Sequence, residues 1–324
     1  MTNAVETQSK PTFSSKAGDL ASRSGLLIAL VILFLGLAIF APNFLTPRNL
    51  LNVLRAVAFN GIIACGMTFM IISGDIDVSV GSAVAWASAL LGVLAIQQGW
   101  PLWLAVIFVV IQGAAIHAAA GYIRVKWAVP AFVVTLALFM SLRGAARLIT
   151  NAFPITPFSD GFNFWGGGYV FDVIPVPVII MLVTFVIFHF ISIRTVYGRS
   201  VYAVGGNEES ARLSGISVWK TRITTFALVG FLSAFSGIIL SSRIMSGSSN
   251  IAMGLEFEVI AAVIIGGTSL MGGEGTIFGT FLGVLFIGLL GNGMVLMGIN
   301  PFAQEVIRGL IILVAVLISV IRTK

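Results

Sequence analysis

The sequence predicts an all-α protein that crosses a membrane with about ten helices. Of its 324 residues, 58% are hydrophobic and only 9% are charged, whereas a soluble domain carries about 25% charged residues. The apolar residues form runs close to the length of about 20 residues that crosses a bilayer as a helix. The basic residues flank these runs, a pattern that sets membrane orientation rather than one that binds nucleic acid. We therefore expect lipid as the main solvent and no nucleic-acid partner.

A polar tail at residues 1–24 precedes one membrane domain at 25–324. The hydropathy pattern predicts spans near 25–41, 50–73, 78–97, 101–121, 130–150, 176–193, 222–242, 257–271, 276–297 and 302–321. Most connections are short, and the two long ones are 151–175 and 194–221. If the ten spans form two sets of five, the halves lie in opposite orientations, which is the inverted-repeat arrangement of many transporters.

The distribution of Lys and Arg predicts which connections face the cytoplasm. With a cytoplasmic N-terminus, 12 of the 18 basic residues fall on the cytoplasmic side, as the positive-inside rule expects. This orientation places both termini and the segment 194–221 in the cytoplasm, and the loop 151–175 outside.

The long polar connection on the cytoplasmic side is predicted to contain a short, capped helix. Asn207 is a suitable N-cap, because its side chain can accept a hydrogen bond from a free N–H group of the first turn. Glu208 and Glu209 then lie at the positive end of the helix dipole. Glu208 and Arg212 have the i, i+4 spacing of a helical ion pair, and Gly215 can supply the left-handed residue that closes a helix. We interpret this helix as a docking element; the alternative is an ordinary solvated loop.

The external loop 151–175 is rich in aromatic residues and contains three consecutive glycines. Its two acids, Asp160 and Asp172, have no basic neighbour within the loop. Aromatic residues at a membrane edge often form an interfacial belt. The competing interpretation is a platform that receives a soluble partner.

Two stretches interrupt the apolar pattern, Ser73–Gly81 and Gly266–Gly275. Such glycine and serine clusters break helices or let backbones pack closely. Carboxylates at membrane depth are costly, so Asp75 and Asp77 are candidates for function by default. The alternative is that both stretches are tight cytoplasmic turns that carry acids.

No motif for catalysis, a cofactor or a metal is expected in this chain. Gly267 and Gly272 have the glycine spacing of a phosphate-binding loop, but Gly273 and Glu274 stand where that loop needs Lys and Ser or Thr. An intramembrane aspartyl protease needs two acids on facing helices, whereas Asp75 and Asp77 lie in one segment. The isolated histidines lack metal-ligand spacing. We therefore expect no enzyme activity in this chain itself.

Several segments resemble the permeases of monosaccharide-type ABC importers, the ribose and arabinose permease group. The stretch GMTFMIISGDIDVSVGS, residues 66–82, is similar to that group's GMT-x-VI-x-(S/T)-GGIDLSVGS signature, and it departs at Asp75, where the group has Gly or a small residue. Further similar segments follow in the group's order: Val129–Gly144, Gly198–Ile216, Ala261–Thr280 and Asn300–Val316. Together they cover nearly everything after residue 40.

The resemblance implies a permease in a bacterial inner membrane that works by alternating access. Its implied partners are a second permease subunit, usually a copy of itself, two cytoplasmic ABC ATPases or one tandem ATPase, and an external sugar-binding protein. The group's ATPase-coupling segment corresponds to Gly206, Asn207, Glu208, Glu209, Arg212 and Gly215. Asp160 and Asp172 are candidates for docking of the binding protein. Candidates for lining the sugar path are Asn60, Asp77, Ser79, Thr135, Arg143 and Asn292, since sugar hydroxyls need hydrogen-bonding groups.

Two other functions remain open from the sequence. An ion-coupled secondary transporter would use Asp75 or Asp77 as its coupling-ion site. A branched-chain amino-acid ABC permease of related architecture would need groups that bind a zwitterion.

Overall fold

The computed structural model describes residues 13–323, and it describes side chains from residue 25 to residue 317 apart from 315. The predicted polar tail and both termini therefore lie largely outside the described residues. The α-helices of the described range are α1 (Phe13–Phe40), α2 (Pro47–Ile72), α3 (Val80–Gly92), α4 (Leu102–Lys126), α5 (Ala131–Thr150), α6 (Asn163–Gly167), α7 (Val176–Arg194), α8 (Val196–Gly206), α9 (Glu208–Leu213), α10 (Val218–Ile244), α11 (Leu255–Ile265), α12 (Ile277–Leu296) and α13 (Pro301–Thr323). A π-helical segment, Val93–Gln97, extends α3.

The prediction of an all-α membrane protein is confirmed. Within the described range, seven helical segments are long and apolar enough to cross a bilayer: α2, α3 with its π-helical extension, α4, α5, α7, α10 and α12. Helices also occupy the other three predicted spans, as α1, α11 and α13. The total of ten crossings and the inverted relation of two halves stay predictions.

Helix α2 lies at the centre of the membrane domain. Of its most apolar 18 residues 83% are buried, compared with 22% in α4 and in α5. Thr46 caps its first turn by accepting from Asn49 N at 3.4 Å, and Pro47 occupies the first helical position, where no N–H group is needed. Helix α10 packs beside α2, α3 and α4. These two helices therefore form the framework on which the other elements are placed.

Small residues bring the backbones of α4 and α10 close together. A Cβ added at Gly230 of α10 would lie 2.4 Å from the carbonyl oxygen of Gly113 in α4. Helices in membranes associate through such small residues, because lipid provides no hydrophobic force between them. The outward faces of α4, α5 and α7 carry large exposed apolar side chains, including Trp103, Ile111, Leu148 and Val186. We assign these faces to lipid.

The domain has two ends, which we call the loop side and the α9 side. On the loop side, Ser242 of α10 accepts from Gly166 N at 2.7 Å and donates to Phe162 O at 2.5 Å. The loop 151–175 is therefore attached to the end of α10. On the α9 side lie α8, α9, the first turn of α10 and the connection between α2 and α3, residues 73–79, which we call the junction.

Helix α8 and the end of helix α11 depart from the sequence prediction. Helix α8 was not predicted, although Thr195 caps it by accepting from Gly198 N at 3.0 Å; its glycines lower its intrinsic helix propensity. Helix α11 ends at Ile265, six residues before the predicted boundary at 271, because Gly267 takes a positive φ of 88°. The residues that follow, 266–276, form a glycine-rich loop.

A two-stranded hairpin and a short helix give the loop 151–175 an ordered structure. Strands β1 (Tyr169–Val170) and β2 (Ile174–Pro175) pair antiparallel, with Asp172 in the turn between them at a φ of 56°. Phe158 and Phe162 are buried and their ring centroids lie 4.8 Å apart. The loop is therefore a folded surface element rather than a simple connection.

Candidate functional site

A cavity of about 440 Å³ lies among α2, α10, α11, α12 and α13. Its polar lining consists of three amides, two guanidinium groups and one carboxylate, from Asn52, Asn60, Asn292, Arg243, Arg308 and Glu258. Arg243 is in the last turn of α10, so the cavity lies toward the loop side. A volume of this size is within the range of small-molecule sites, about 300–1,000 Å³. The cavity can therefore admit a small polar solute in an otherwise apolar domain.

Glu258 is the central polar residue of the cavity. Its Oε2 accepts from Asn60 Nδ2 at 2.8 Å, and its Oε1 pairs with Arg308 Nη1. The side chains of Glu258 and Arg308 remain 25% and 38% exposed. Hydrogen bonds to charged groups contribute about 1.5–3 kcal/mol. The pair is therefore held in place while it still faces the cavity.

The start of α11 determines where Glu258 lies. Gly254 precedes the helix with a φ of 75°, and Glu256 and Glu258 occupy the first turn, where the helix dipole favours negative charge. The two acids differ in their surroundings. Glu256 is only 3% exposed and lies against Gly81 of α3, whereas Glu258 lines the cavity.

The six residues predicted to line the sugar path fall in separate places. Asn60 and Asn292 line the cavity, where Asn292 exchanges hydrogen bonds with Asn49 at 2.8 and 3.0 Å. The cavity lining does not include Asp77, Ser79, Thr135 or Arg143. Their assignment to the path stays a prediction.

Asp77 and Ser79 form a closed polar cluster in the junction. Asp77 Oδ1 accepts from Ser79 N at 2.7 Å and from Ser79 Oγ at 2.5 Å. His117 Nε2 lies 3.4 Å from Asp77 Oδ2, an ion-pair distance without hydrogen-bond geometry. The other ring nitrogen of His117 lies 3.0 Å from the Gly113 carbonyl. All three side chains are fully buried, so this cluster fixes the entry to α3 against α4.

The polar groups of Thr135 and Arg143 form hydrogen bonds with backbone atoms. Thr135 Oγ1 accepts from Val78 N at 3.3 Å, which joins α5 to the junction. Arg143 Nη1 donates to Ser249 O at 3.1 Å and to Ile251 O at 2.7 Å. Arg143 therefore holds the connection between α10 and α11, which precedes the cavity helix.

The predicted docking helix is present as α9. Asn207 Oδ1 accepts from Ser210 N at 2.8 Å, which confirms the predicted N-cap, and Gly215 has the predicted positive φ, 81°. The expected pairing of Glu208 with Arg212 is wrong. Arg212 instead donates to Glu209 at 2.6 Å, and Glu208 accepts from Arg222 of α10 at 2.7 Å. The buried Arg222 lies on a neighbouring helix, which sequence spacing does not reveal.

The remaining predicted residues lie at the two exposed ends of the domain. Gly206 ends α8 and no atom lies within 4 Å of the position that a Cβ would take there. Asp160 and Asp172 are exposed on the loop side, beside the exposed rings of Trp165 and Phe171. Their role in docking stays a prediction.

Sequence reasoning missed Glu258 and Arg308. A signal was available, because an acid inside a predicted span is a candidate for function. The two residues are 50 positions apart, so their pairing depends on the packing of α13 beside α11.

Comparisons with known proteins identify the family. Residues 49–316 match the model of the family described as "Branched-chain amino acid transport system / permease component". The chain is 49% identical over 300 residues to "Probable ABC transporter permease protein YphD" of Escherichia coli, which covers 93% of this chain and 90% of the relative. No solved structure matches the chain significantly.

Two further relatives carry names that state a substrate. "Ribose import permease protein RbsC" of Bacillus subtilis is 44% identical, over 91% of this chain and 92% of its own. "L-arabinose transport system permease protein AraH" of Escherichia coli is 37% identical, over 97% of this chain and 95% of its own. Because the family match and these alignments extend over almost the whole membrane domain, the chain belongs to this family of transport-system permease components.

Proposed function

We propose that this chain is the membrane-spanning subunit of an ATP-driven importer for a monosaccharide. The observation that carries the proposal is the polar cavity, in which amides and one paired carboxylate face a space between apolar helices. Neutral sugars offer many hydroxyl groups, each of which can donate and accept, and amides and carboxylates are suitable partners. The names of the relatives RbsC and AraH state ribose and L-arabinose, which supports this substrate class.

A branched-chain amino acid is the second substrate class, because the description of the matching family names it. Such a solute presents an ammonium, a carboxylate and an apolar side chain. The carboxylate of Glu258 is already paired with Arg308 and Asn60, so the ammonium group of a zwitterion would have to compete with Arg308 for it, whereas a sugar hydroxyl can donate to a carboxylate oxygen that keeps its present partner. This cost favours a neutral polyhydroxylated solute.

In the proposed transport cycle, the two ends of the domain bind different partners. Helix α9 exposes Glu208, Glu209 and Arg212 on one end, and we propose that cytoplasmic ABC ATPases bind there and move it as they close on ATP. On the opposite end, the loop 151–175 presents aromatic rings and two acids, and we propose that a sugar-binding protein docks there. Rigid packing of the spans converts movement of α9 into a cavity that opens to alternate sides.

A second copy of this chain is the proposed partner within the membrane. The cavity lies at the edge of one subunit, and Asn52 and Arg243 in its lining are exposed. A polar opening that faced lipid would leave these groups without partners. A second permease subunit would close it.

Uptake in proteoliposomes tests the proposal. The chain is reconstituted with a cognate ABC ATPase and a cognate sugar-binding protein, and uptake of labelled ribose, arabinose and leucine is compared. We expect ATP-dependent, vanadate-sensitive uptake of a sugar. Leucine uptake would favour the amino-acid assignment, and uptake driven by an ion gradient without ATP would favour a secondary transporter.

A further inference from the structure

Four charged side chains form a continuous chain of ion pairs on the α9 side. Arg124 Nε lies 3.0 Å from Asp75 Oδ1, Asp75 Oδ2 lies 3.4 Å from Arg222 Nε, and Arg222 Nη2 lies 2.7 Å from Glu208 Oε2. We call this set the ion-pair chain. It joins four separate elements: the end of α4, the junction, the first turns of α10, and α9.

The ion-pair chain runs from solvent into the protein interior. The side chain of Glu208 is 54% exposed, that of Arg222 is 8% exposed and that of Asp75 is 2% exposed. Buried ion pairs contribute little net stability, because the loss of hydration offsets their attraction. Ionisable residues within a membrane domain therefore indicate function more readily than stability.

The contact between Asp75 and Arg222 is the loosest of the three. Asp75 Oδ2 and Arg222 Nε are both buried, and neither has a hydrogen-bond partner among the described residues, although they lie within ion-pair distance of each other. The other two contacts have hydrogen-bond geometry. A buried pair without a hydrogen bond can shorten when the elements that carry it move, so this contact is the one that can change during a transport cycle.

Backbone contacts at Ile72 tie the same elements together. A Cβ added at Gly205 of α8 would lie 1.6 Å from the Ile72 carbonyl oxygen, and that oxygen accepts from Gly273 N at 2.8 Å. The end of α2, the end of α8 and the loop 266–276 therefore meet at one point, three residues before Asp75. Helix α9 follows α8 directly, so a displacement of α9 acts on the junction through the backbone and through the ion-pair chain.

We propose that Asp75 is a positioning residue of the transport cycle, which transmits movement of α9 to the junction between α2 and α3. The proposal rests on the ATP-driven import proposed above. When an ATPase moves α9, Glu208 displaces Arg222, and Arg222 displaces Asp75. The junction then shifts the start of α3, which the Asp77 cluster holds against α4.

A purely structural role for Asp75 predicts a different result. Loss of a structural ion pair lowers stability and expression, and it leaves the number of sugar molecules moved per ATP unchanged. Loss of a transmitting residue lowers that ratio in protein that is folded and assembled. The ratio of uptake to hydrolysis therefore separates the two roles.

The first test compares Asp75→Asn and Glu208→Gln with the wild-type complex. Hydrolysis and sugar uptake are measured in the same proteoliposomes, together with the unfolding midpoint. We expect Asp75→Asn to retain hydrolysis within about twofold, and we expect both variants to lower uptake per ATP by about tenfold, which is within the range of effects of residues in coupling networks. Glu274→Gln is the matched control, because it removes an exposed carboxylate on the same side outside the ion-pair chain; it should keep the wild-type ratio.

The double variant Asp75→Asn with Glu208→Gln tests whether the two residues act in one chain. The effects of substitutions within one network are not additive. The double variant should therefore lower uptake per ATP no further than Asp75→Asn alone. The proposal would be overturned if assembled Asp75→Asn kept the wild-type uptake per ATP, or if the two losses of uptake per ATP multiplied in the double variant. If Asp75→Asn does not assemble, Arg222→Gln decides by itself, since it cuts the ion-pair chain between Asp75 and Glu208 at a buried residue away from the proposed ATPase surface.

A second readout does not depend on the solute. In a Cys65→Ser background, Ile76→Cys is labelled with a small thiol reagent in the nucleotide-free and the vanadate-trapped complex. We expect labelling to change with nucleotide in the parent protein and to stay constant after Asp75→Asn. If labelling changes equally in both, Asp75 does not transmit the movement. If labelling behaves as expected but no sugar is taken up, the proposed substrate is wrong and the role of Asp75 stands.

Discussion

The junction and the cavity use the same residue types in opposite ways. In the junction, Asp75 and Asp77 are buried and surrounded by partners from the junction itself, α4 and α10. In the cavity, Glu258 is paired with Arg308 but remains partly exposed. A carboxylate that is enclosed positions helices, whereas one that faces a space can exchange its partner for a solute. The comparison implies that substitutions in the junction change stability and coupling, and that those in the cavity change the affinity for solute.

The largest expected effect is that of Asp77→Ala. It leaves the buried N–H and hydroxyl groups of Ser79 without the carboxylate that accepts from both, and each buried donor left unsatisfied costs about 1–3 kcal/mol. We expect a marked drop in the unfolding midpoint in detergent, and a smaller one for Asp77→Asn, which keeps one oxygen for Ser79. An Asp77→Ala protein that unfolds like the wild type but no longer takes up sugar would place Asp77 on the sugar path instead.

Gly205→Ala tests the backbone contact at the junction. Its Cβ would overlap the Ile72 carbonyl oxygen, so either α8 or the end of α2 must move. Overpacking of this kind costs about 1–3 kcal/mol. We expect a lower unfolding midpoint and weaker stimulation of ATP hydrolysis. Gly206→Ala is the matched control, because no atom lies within 4 Å of its added Cβ; equal effects at both positions would contradict the contact.

Glu258→Gln tests the role of the cavity carboxylate. The amide still bonds to Asn60 but loses the charge that pairs with Arg308. A solute hydroxyl bonds more weakly to an amide oxygen than to a carboxylate, and a loss of about 1.4 kcal/mol corresponds to tenfold, so we expect KM for uptake to rise about tenfold, together with a small drop in the unfolding midpoint from the weakened pair with Arg308. Glu256→Gln, two residues earlier and buried, should change the midpoint and leave KM unchanged. The reverse pattern would remove Glu258 from the site.

The smallest expected effect concerns alkaline pH on the α9 side. Burial raises the pKa of Tyr197 from 10.0 to about 12, although its hydrogen bond with Thr225 lowers it. Because the pKa of Tyr197 is higher in the folded state than in the unfolded state, the contribution of Tyr197 to the free energy of unfolding is complete below pH 10. This contribution is lost as the pH rises toward 12. About 0.8 kcal/mol should be lost by pH 10.5. Unfolding midpoints measured from pH 8 to 10.5 should fall less steeply in Tyr197→Phe, and equal slopes would contradict this origin.

Local patterns in the sequence were sufficient to predict most spans and the capped helix α9. The Asn207 cap and the Gly215 closure depend on neighbouring residues only, so spacing identifies them. The pairing of Glu208 with Arg222 joins residues 14 positions apart on different helices, and the spacing rule instead suggested Arg212. Helix α8 escaped prediction because its contact with Ile72 requires glycines, which also weaken the helical pattern.

The candidate site was harder to predict than the fold. Asn60 and Asn292 were selected for their hydrogen-bonding groups, and they line the cavity. Arg143 was selected for the same reason, but its guanidinium binds the carbonyl groups of residues 249 and 251. Residue type alone does not tell which polar groups within a span are consumed by the fold and which remain for a solute.

The shortness of α11 has a consequence for how the protein is made. Its 11 residues extend about 16 Å, roughly half of the 30 Å hydrocarbon core. If this segment is one of the ten predicted crossings, the glycine loop 266–276 covers the remaining depth, where unpaired backbone is tolerated only within protein. One of its N–H groups reaches the Ile72 carbonyl oxygen. We therefore expect segment 255–276, which contains one of the ten predicted crossings, to reach its final position after α2 and α8 rather than to insert into the bilayer as an independent unit.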